Sequence, residues 1–282
     1  MRGRFAATCR APSRRTRERA PLHDGESSPR ADGVTRARGL PVTASPQTRD
    51  AYNAWHERYA VDHEASTPWH RLVVRHLDAE RDIKGRRVLE IACGRGGFAA
   101  RLAHMTNPPP RLVAADFSTA AVRKARAFAE QQAPGGVTCE VGDAQSLPHP
   151  DASFDTVISC ETIEHVPNPR RALAEFARVL KHRGRLVLTT PNYMGPMGLY
   201  RGYLRLLGRR YSEEGQPINN FLMLPRTVRW VRAAGLEVVA IDASGHYVPV
   251  PGRPPIDVHS LGRIRSLRWF ALHSLMIAEK LG

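Results

Sequence analysis

Short apolar runs alternate with segments of helical periodicity along the central part of the chain. The runs are five to seven residues long, rich in Val, Leu, Ile and Ala, and bounded by turn-forming residues, which is typical of buried strands. They cover residues 86–92, 111–115, 137–141, 154–160 and 185–190, and the helical segments between them cover 97–105, 118–132 and 168–181. This alternation predicts an α/β protein with a doubly wound parallel sheet.

The segments on either side of this region predict additional elements. Residues 50–80 place aromatic and aliphatic side chains at helical spacing, and 225–235 give a helix that Gly235 ends. Two late strands are predicted at 236–243 and 271–280.

Two further segments match neither strand nor helix patterns. Residues 1–48 are rich in Arg, Pro, Ser and Gly and carry almost no apolar periodicity, so we expect a disordered tail followed by one domain over 49–282. Residues 191–224 are rich in Tyr, Met and Leu and follow the fifth predicted strand. Ligands of open sheets bind beyond the carboxyl ends of the strands, so we interpret 191–224 as a substrate lid.

The net charge of +15 is concentrated outside the predicted sheet. Residues 1–50 hold 11 arginines and five acidic residues, 51–180 hold 16 of each sign, and 181–282 hold 15 basic and six acidic residues. Basic flanks can attract nucleic acid or an anionic membrane. We expect no nucleic-acid partner, because solvated charged surfaces explain most of this excess. We keep peripheral contact with a membrane or lipid as an open prediction.

The cysteines bear on the cellular compartment. Cys9, Cys93, Cys139 and Cys160 show neither a CxxC motif nor the paired spacing of a zinc site. We therefore expect reduced thiols in a cytoplasmic enzyme. No apolar run in the sequence approaches the ~18 residues of a membrane span.

Glycines and acidic residues follow the first three predicted strands. The run 88–97, VLEIACGRGG, ends in a turn with Gly94, Gly96 and Gly97, and such a turn lets backbone N–H groups approach a nucleotide-like ligand. Asp116 and Asp143 end the next two runs, and a carboxylate suits a ribose diol. The chain has no GxxxxGK[ST] motif, and GRGGFA departs from GxGxxG. A nucleoside ligand is therefore expected rather than a phosphorylated coenzyme.

At this point the chain resembles the class I S-adenosylmethionine-dependent methyltransferases, in particular the methyltransferase-11 and ubiquinone-biosynthesis-like O-methyltransferases. The similarity rests on VLEIACGRG (88–96), AADFS (114–118), GDAQSLPHPDASFD (142–155), ETIEHVPNP (161–169) and RVLKHRGRLVLTTPN (178–192). It implies S-adenosyl-L-methionine as cofactor and a Rossmann-like seven-stranded sheet, mostly parallel with one antiparallel strand. The late strands would close this sheet as an antiparallel hairpin.

The resemblance also implies roles for individual residues. The methionine part of the cofactor would lie at Glu90, Ala92, Gly94 and Gly96; the ribose at Asp116 and Phe117; and the adenine at Asp143 and Ala144. Cys160 would contact the cofactor through its backbone. The family usually has glycine where this chain has Ala92, and we expect alanine, the smallest replacement, to be tolerated.

The turn after the fourth predicted strand offers the catalytic candidates. Glu161, Glu164 and His165 form an ExxEH motif that could hold a divalent metal ion. The triplet resembles the metal site of ubiquinone-biosynthesis O-methyltransferases and of small-RNA 3′-end 2′-O-methyltransferases. Those proteins have a further ligand, usually a histidine, in the later insertion, where this chain has Ile218-Asn219-Asn220. We therefore expect no metal. His165 would then be the general base, with a helix-positioning role as the alternative. Glu161 is a second catalytic candidate, and Asn192 would hydrogen-bond the acceptor.

These observations predict a methyltransferase that acts on a small-molecule acceptor. O-methylation of an aromatic, quinone-like or lipidic or glycan metabolite fits the Tyr-rich lid. The alternative is an RNA 2′-O-methyltransferase that uses the ExxEH turn, although the missing histidine and the lack of an aromatic stacking platform disfavour it. The acceptor itself and the oligomeric state stay open.

Overall fold

The strands and helices of the protein follow the predicted alternation. The computed structural model describes residues 45–58, 65–209, 211, 215–248, 250, 256–258, 260–261 and 264–281. Its strands are β1 (Arg87–Ile91), β2 (Arg111–Asp116), β3 (Thr138–Val141), β4 (Phe154–Cys160), β5 (Leu180–Pro191), β6 (Leu236–Ser244), β7 (Tyr247–Val248), β8 (Ile256–Asp257) and β9 (His273–Lys280). Its α-helices are α1 (Pro46–Arg58), α2 (Pro68–His76), α3 (Gly97–Ala103), α4 (Thr119–Gln132), α5 (Pro169–Val179), α6 (Pro196–Leu206) and α7 (Leu224–Ala233).

Seven strands form one sheet in the order β3-β2-β1-β4-β5-β9-β6. Strands β1 to β5 pair in parallel, whereas β9 pairs antiparallel with both β5 and β6. The predicted fold class, a mostly parallel sheet with one antiparallel strand, is confirmed. Because β9 runs the opposite way, its first residue lies at the edge of the sheet where β1, β2, β4 and β5 end.

Apolar side chains pack on both faces of the sheet, as a doubly wound fold requires. Leu89 of β1 packs on one face with Phe176 of α5, while its neighbour Val88 packs on the other face with Leu102 of α3. Successive side chains of a strand point to opposite faces. The nearly continuous apolar run of β1 is therefore what a strand covered on both sides needs.

Three boundaries differ from the sequence expectation. The predicted helical stretch 50–80 is divided into α1, α2 and one π-helical turn at Ala79–Ile83, with residues 59–64 outside the described part. The predicted helix 168–181 ends at Val179, and β5 begins at once with Leu180 rather than at 185. The start of β5 is irregular, with a register shift against β4 and a positive φ of 59° at Arg183. Its sequence therefore resembles a turn rather than a strand, which explains the later start that we predicted.

The predicted tail falls mostly outside the described residues, whereas the predicted lid falls mostly within them. Residues 1–44 of the predicted tail lie outside the described part, and α1 already begins at Pro46, within the predicted 1–48. The predicted lid starts at the last residue of β5 and contains α6. Among the helices described, none combines the length and apolar character that crossing a membrane requires.

Candidate active site

The carboxyl ends of the parallel strands bring the predicted cofactor residues to one edge of the sheet. The backbone amide of Cys93 donates to the carbonyl of Ala115, and that of Gly142 donates to the carbonyl of Asp116. The loops after β1, β2 and β3 are therefore tied to one another beyond the last paired residues. The structure thus gathers side chains that are up to 53 positions apart in the sequence, from Glu90 to Asp143.

The turn after β1 has an unusual backbone at three of its positions. Ala92, Gly94 and Gly96 have positive φ angles of 58°, 56° and 87°. Glycine adopts this region freely, whereas an L-residue with a Cβ is strained there by roughly 1–2 kcal/mol. The Cβ of any other residue at Gly96 would lie 2.9 Å from the Cα of Ala125. Glycine at 96 therefore lets the turn pack directly against α4. The positive φ of Ala92 explains why glycine would suit position 92.

Asp116, at the end of β2, is buried and receives two backbone hydrogen bonds. Its Oδ2 accepts from the amide of Gly94 at 2.9 Å, and its Oδ1 accepts from the amide of Ser118 at 2.8 Å. Burial raises the pKa of Asp116 to about 6, although these hydrogen bonds oppose the rise. Each carboxylate oxygen keeps a second lone pair that can accept from a ligand hydroxyl.

Glu90, on β1, is a second buried carboxyl group at this edge. It is 3% exposed, and its Oε2 has no hydrogen-bond partner in the described part of the chain. Burial, and to a smaller extent the negative charge of Asp116, raises the pKa of Glu90 to about 8. A buried acid without a partner is typical of a position that meets a ligand group.

Helix α1 contacts the turns after β1 and β2. The sequence analysis did not predict these contacts. The side-chain oxygen of Asn53 accepts from the hydroxyls of Ser118 and Thr119 and from the amide of Ala120, at the start of α4. The ring of Trp55 lies 5.4 Å from the guanidinium of Arg95, within the glycine turn. Apolar spacing predicted the helix, but no local signal indicated which turns it contacts.

Phe117, the second residue predicted for the ribose, also contacts α1. Its ring meets Tyr52 edge-on with centroids 6.4 Å apart, and the guanidinium of Arg49 lies 4.8 Å from its centroid. Burial raises the pKa of Tyr52, whose hydroxyl donates to the carbonyl of His165. Tyr52 thereby joins the predicted cofactor side of the site to the ExxEH turn.

The loop after β3 is fixed by hydrogen bonds from within the protein. Oδ1 of Asp143 accepts from the amide of Gln145 at 2.8 Å, and the side chain of Gln145 accepts from the amide of Asn168 just before α5. Ala144 is buried at this loop. At the end of β4, burial raises the pKa of the Cys160 thiol well above its usual value. The thiol therefore stays protonated, and a backbone role suits Cys160 best.

The three polar residues of the ExxEH turn point to different partners. Glu164 is fully buried and accepts from the hydroxyl of Thr190 at 3.1 Å. Nδ1 of His165 lies 2.7 Å from the carbonyl oxygen of Ile218, and its Nε2 lies 3.7 Å from Oε1 of Glu164. Both ring nitrogens thus face protein groups, which favours a role in holding the 191–224 segment over the predicted role of His165 as base.

Glu161 turns away from the other two residues and approaches β9. Its Oε2 lies 3.5 Å from Nδ1 of His273. Within the described residues, no three His, Cys, Asp or Glu side chains are grouped so that they could hold a metal ion. The expectation of a metal-free site stays a prediction that a chelator can test.

The side chain of Asn192, the predicted acceptor contact, is held by hydrogen bonds within the protein. Its Nδ2 donates to the carbonyls of Trp269 and Ala271, and its Oδ1 accepts from the amides of Leu224 and Met194. These four bonds use the whole capacity of the side chain, which is 1% exposed. Asn192 thus joins the end of β5 to the start of α7 and to the segment before β9. Its contact with the acceptor stays a prediction.

Comparison with known proteins agrees with this geometry. Residues 89–188 match the family model described as "Methyltransferase domain". The chain is 31% identical over 231 residues to the 27-O-demethylrifamycin SV methyltransferase of Amycolatopsis mediterranei, a match that covers 80% of this chain and 78% of that protein. It is 32% identical over 155 residues to a ubiquinone/menaquinone biosynthesis C-methyltransferase of Geobacter sulfurreducens, covering 52% of this chain.

Solved structures share the fold, and several curated relatives are longer than the matched region. A putative methyltransferase of Haloferax volcanii, solved in complex with the Trm112 activator, aligns with a TM-score of 0.61 at 21% identity, over 83% of this chain and 98% of that one. That likeness shows the fold alone. The match spans 59% of the Geobacter protein and about a third of two further relatives.

Proposed function

Because the chain belongs to the class I S-adenosylmethionine-dependent methyltransferases, we propose that it methylates an oxygen atom of a small aromatic, quinone-like or lipidic metabolite. The observation that carries the cofactor assignment is the buried pair of Glu90 and Asp116 below the Gly94 turn. When bound, S-adenosylmethionine supplies a methyl group on a positively charged sulfur, which keeps the electron pair of the broken carbon–sulfur bond.

The residues at this edge suit an adenosyl ligand. Oε2 of Glu90, which has no hydrogen-bond partner among the described residues, suits the ammonium group of the methionine part. That group would favour ionisation of Glu90. Asp116 accepts from two backbone amides and can also accept from a ribose diol, with Phe117 beside it. Asp143 and Ala144 would hold the adenine. The backbone at Gly94, Gly96 and Cys160 would contact the rest of the cofactor.

Aromatic side chains of the 191–224 segment support an acceptor with a planar or apolar surface. Tyr193 and Phe221 stack with centroids 5.1 Å apart, and the guanidinium of Arg201 lies 4.7 Å from the Tyr193 centroid. The relative that covers most of the chain acts on 27-O-demethylrifamycin SV, which supports methylation at oxygen. The RNA alternative gains no support, since the relatives described above that have named substrates act on small molecules.

The exposed face of α6 fits an anionic membrane surface. Leu199 is 78% exposed and Leu206 is 88% exposed, and Arg205 and Arg209 are exposed beside them. Residues 191–211 contain four arginines and no acidic residue. Apolar side chains with flanking arginines are typical of helices that lie in a lipid interface. We therefore propose that α6 binds anionic lipid and brings the acceptor site to an apolar metabolite.

Vesicle flotation tests this surface without any catalytic assay. The protein is expected to float with phosphatidylglycerol vesicles, and a Leu199→Ser, Leu206→Ser variant should stay at the bottom. The matched control is Val239→Ser, an exposed apolar residue of β6. Equal flotation of parent and double variant would overturn the membrane proposal. So would the absence of vesicle binding together with light scattering that shows a dimer in the parent and a monomer in the double variant.

Transfer of a labelled methyl group tests the proposed reaction. The protein is incubated with methyl-labelled S-adenosylmethionine and a metabolite extract, and the expected label appears in an organic-extractable small molecule as an O-methyl group. An Asp116→Ala variant is the control, since it lacks the proposed ribose contact. Label in RNA instead would favour the alternative function, and label at carbon or nitrogen would refute the assignment to oxygen.

A further inference from the structure

His273 and Glu161 meet at the carboxyl edge of the sheet, although 112 positions separate them. Glu161 follows β4 directly, and His273 is the first residue of β9. The antiparallel direction of β9 brings its first residue to the edge where β4 and β5 end. His273 is 8% exposed, and its Nδ1 lies 3.5 Å from Oε2 of Glu161. The pair therefore lies beyond the strand ends, beside the predicted cofactor contact at Cys160.

Both side chains have a hydrogen-bonding atom that no described residue satisfies. Oε1 of Glu161 and Nδ1 of His273 are buried and lack a hydrogen-bond partner among the residues that the structure describes. Buried polar atoms are normally paired. Hydrogen bonds at catalytic pairs are often long in the free enzyme and shorten when substrate is bound. The separation of 3.5 Å is consistent with such a pair.

The backbone at Glu161 is strained, which is common at functional sites. Its φ is 47°, in the region that favours glycine. The amide of Glu161 donates to both the carbonyl and the hydroxyl of Thr189 on β5, at 3.1 Å each. These bonds hold the strained turn and aim the carboxylate along the sheet edge toward β9.

Aromatic rings enclose the imidazole of His273. The ring of Trp69 lies 5.1 Å from it, centroid to centroid, and the ring of Tyr247 meets it at 90° and 5.8 Å. A Cβ at Gly245 would lie 2.6 Å from the Tyr247 ring and 3.0 Å from Cδ2 of His273. Glycine at 245 is therefore what lets the two rings pack together, so the arrangement depends on three separate parts of the chain.

We propose that His273, oriented by Glu161, takes the proton from the acceptor hydroxyl in the methylation reaction. The acceptor oxygen loses its proton and gains a methyl group, so the proton needs a base. With Nδ1–H directed at the Glu161 carboxylate, Nε2 is the nitrogen that receives it, and the carboxylate balances the resulting charge. This inference rests on the proposed function. Because aromatic rings lie beside His273, we infer in addition that the acceptor hydroxyl belongs to a planar ring.

The tautomer of His273 tests the pair without any turnover. Nitrogen chemical shifts of histidine-labelled protein in mildly alkaline buffer should show His273 protonated at Nδ1, and Glu161→Ala should move the proton to Nε2. His165 is the internal control, because the carbonyl of Ile218 should keep its proton on Nδ1 in both proteins. A His273 that carries its proton on Nε2 in the parent, or one whose tautomer ignores the loss of Glu161, would overturn the orientation.

Kinetics with the acceptor found in the labelling experiment test the proton transfer itself. We expect His273→Gln to lower kcat by about 10²-fold to 10⁴-fold, with little change in KM and an unchanged cofactor Kd in calorimetry. His149→Gln is the matched control, a half-buried histidine that pairs with Glu140 and packs on Phe154 at the start of β4. An unchanged kcat in His273→Gln, or a loss shared by His149→Gln, would refute the assignment. Neither result would bear on whether the protein is a methyltransferase.

Discussion

The buried carboxyl group of Glu90 makes the stability of the free protein depend on pH in a way that one substitution can expose. Its folded pKa of about 8 lies well above the ordinary value of 4.5. Between these values the folded state holds a proton that the unfolded chain has already released. Stability therefore falls as pH rises through this range, by at most about 1.4 kcal/mol per pH unit. Glu90→Gln mimics the protonated form and removes the dependence.

The size of the expected effect follows from the two pKa values. The parent should lose about 1 kcal/mol to this group at pH 5 and about 3 kcal/mol at pH 7. Urea unfolding, followed by circular dichroism at several pH values, should therefore show the variant gaining over the parent by about 2 kcal/mol between pH 5 and pH 7. The same variant should bind S-adenosylmethionine more weakly, because it cannot ionise to meet the ammonium group.

A core substitution that carries no charge is the control for this measurement. Ile91→Val, one position along β1 from Glu90, should lower stability by about 1 kcal/mol to the same extent at every pH. If the gain of Glu90→Gln over the parent were constant across the range, or grew toward acid pH, the raised pKa of Glu90 would be refuted.

Four further predictions concern other parts of the site. Ala92→Gly should stabilise the protein by about 0.5–1 kcal/mol in urea unfolding, because it relieves the left-handed backbone but adds freedom to the unfolded chain; a less stable variant would contradict this. Asp116→Asn should abolish cofactor binding in calorimetry, and unchanged affinity would remove Asp116 from the ribose site. Asn192→Ala should cost about 2–4 kcal/mol of unfolding free energy, since four buried hydrogen bonds are lost; a variant as stable as the parent but inactive would support a direct contact with the acceptor. A chelator should leave the methylation rate unchanged, and a loss that added Mg²⁺ restores would revive the metal at the ExxEH turn.

The sheet and one side of the site could be predicted because their signals are local. Apolar runs mark buried strands, and Glu90, Asp116 and Asp143 lie at or just beyond the ends of three of them. Parallel strands end at a common edge, so the spacing alone predicted that these side chains gather there. The resemblance added which part of the ligand each would meet.

The other side of the site depends on contacts that no local pattern records. Strand β9 pairs between β5 and β6, which brings His273 to Glu161. The alternation of apolar and polar residues in β9 does not indicate in which direction the strand runs. Asn192 follows a strand end as the other candidates do, but its four partners come from three later segments. Strand pairing decided the position of His273, and burial with hydrogen bonds decided that of Asn192.

The contact between Trp55 and Arg95 has a practical consequence. The indole lies 5.4 Å from a guanidinium on the glycine turn, so a change in that turn alters the polarity around a native fluorophore. Emission from Trp55 thus provides a label-free signal for titrating nucleosides against the protein. Trp55→Phe separates that signal from the three remaining tryptophans.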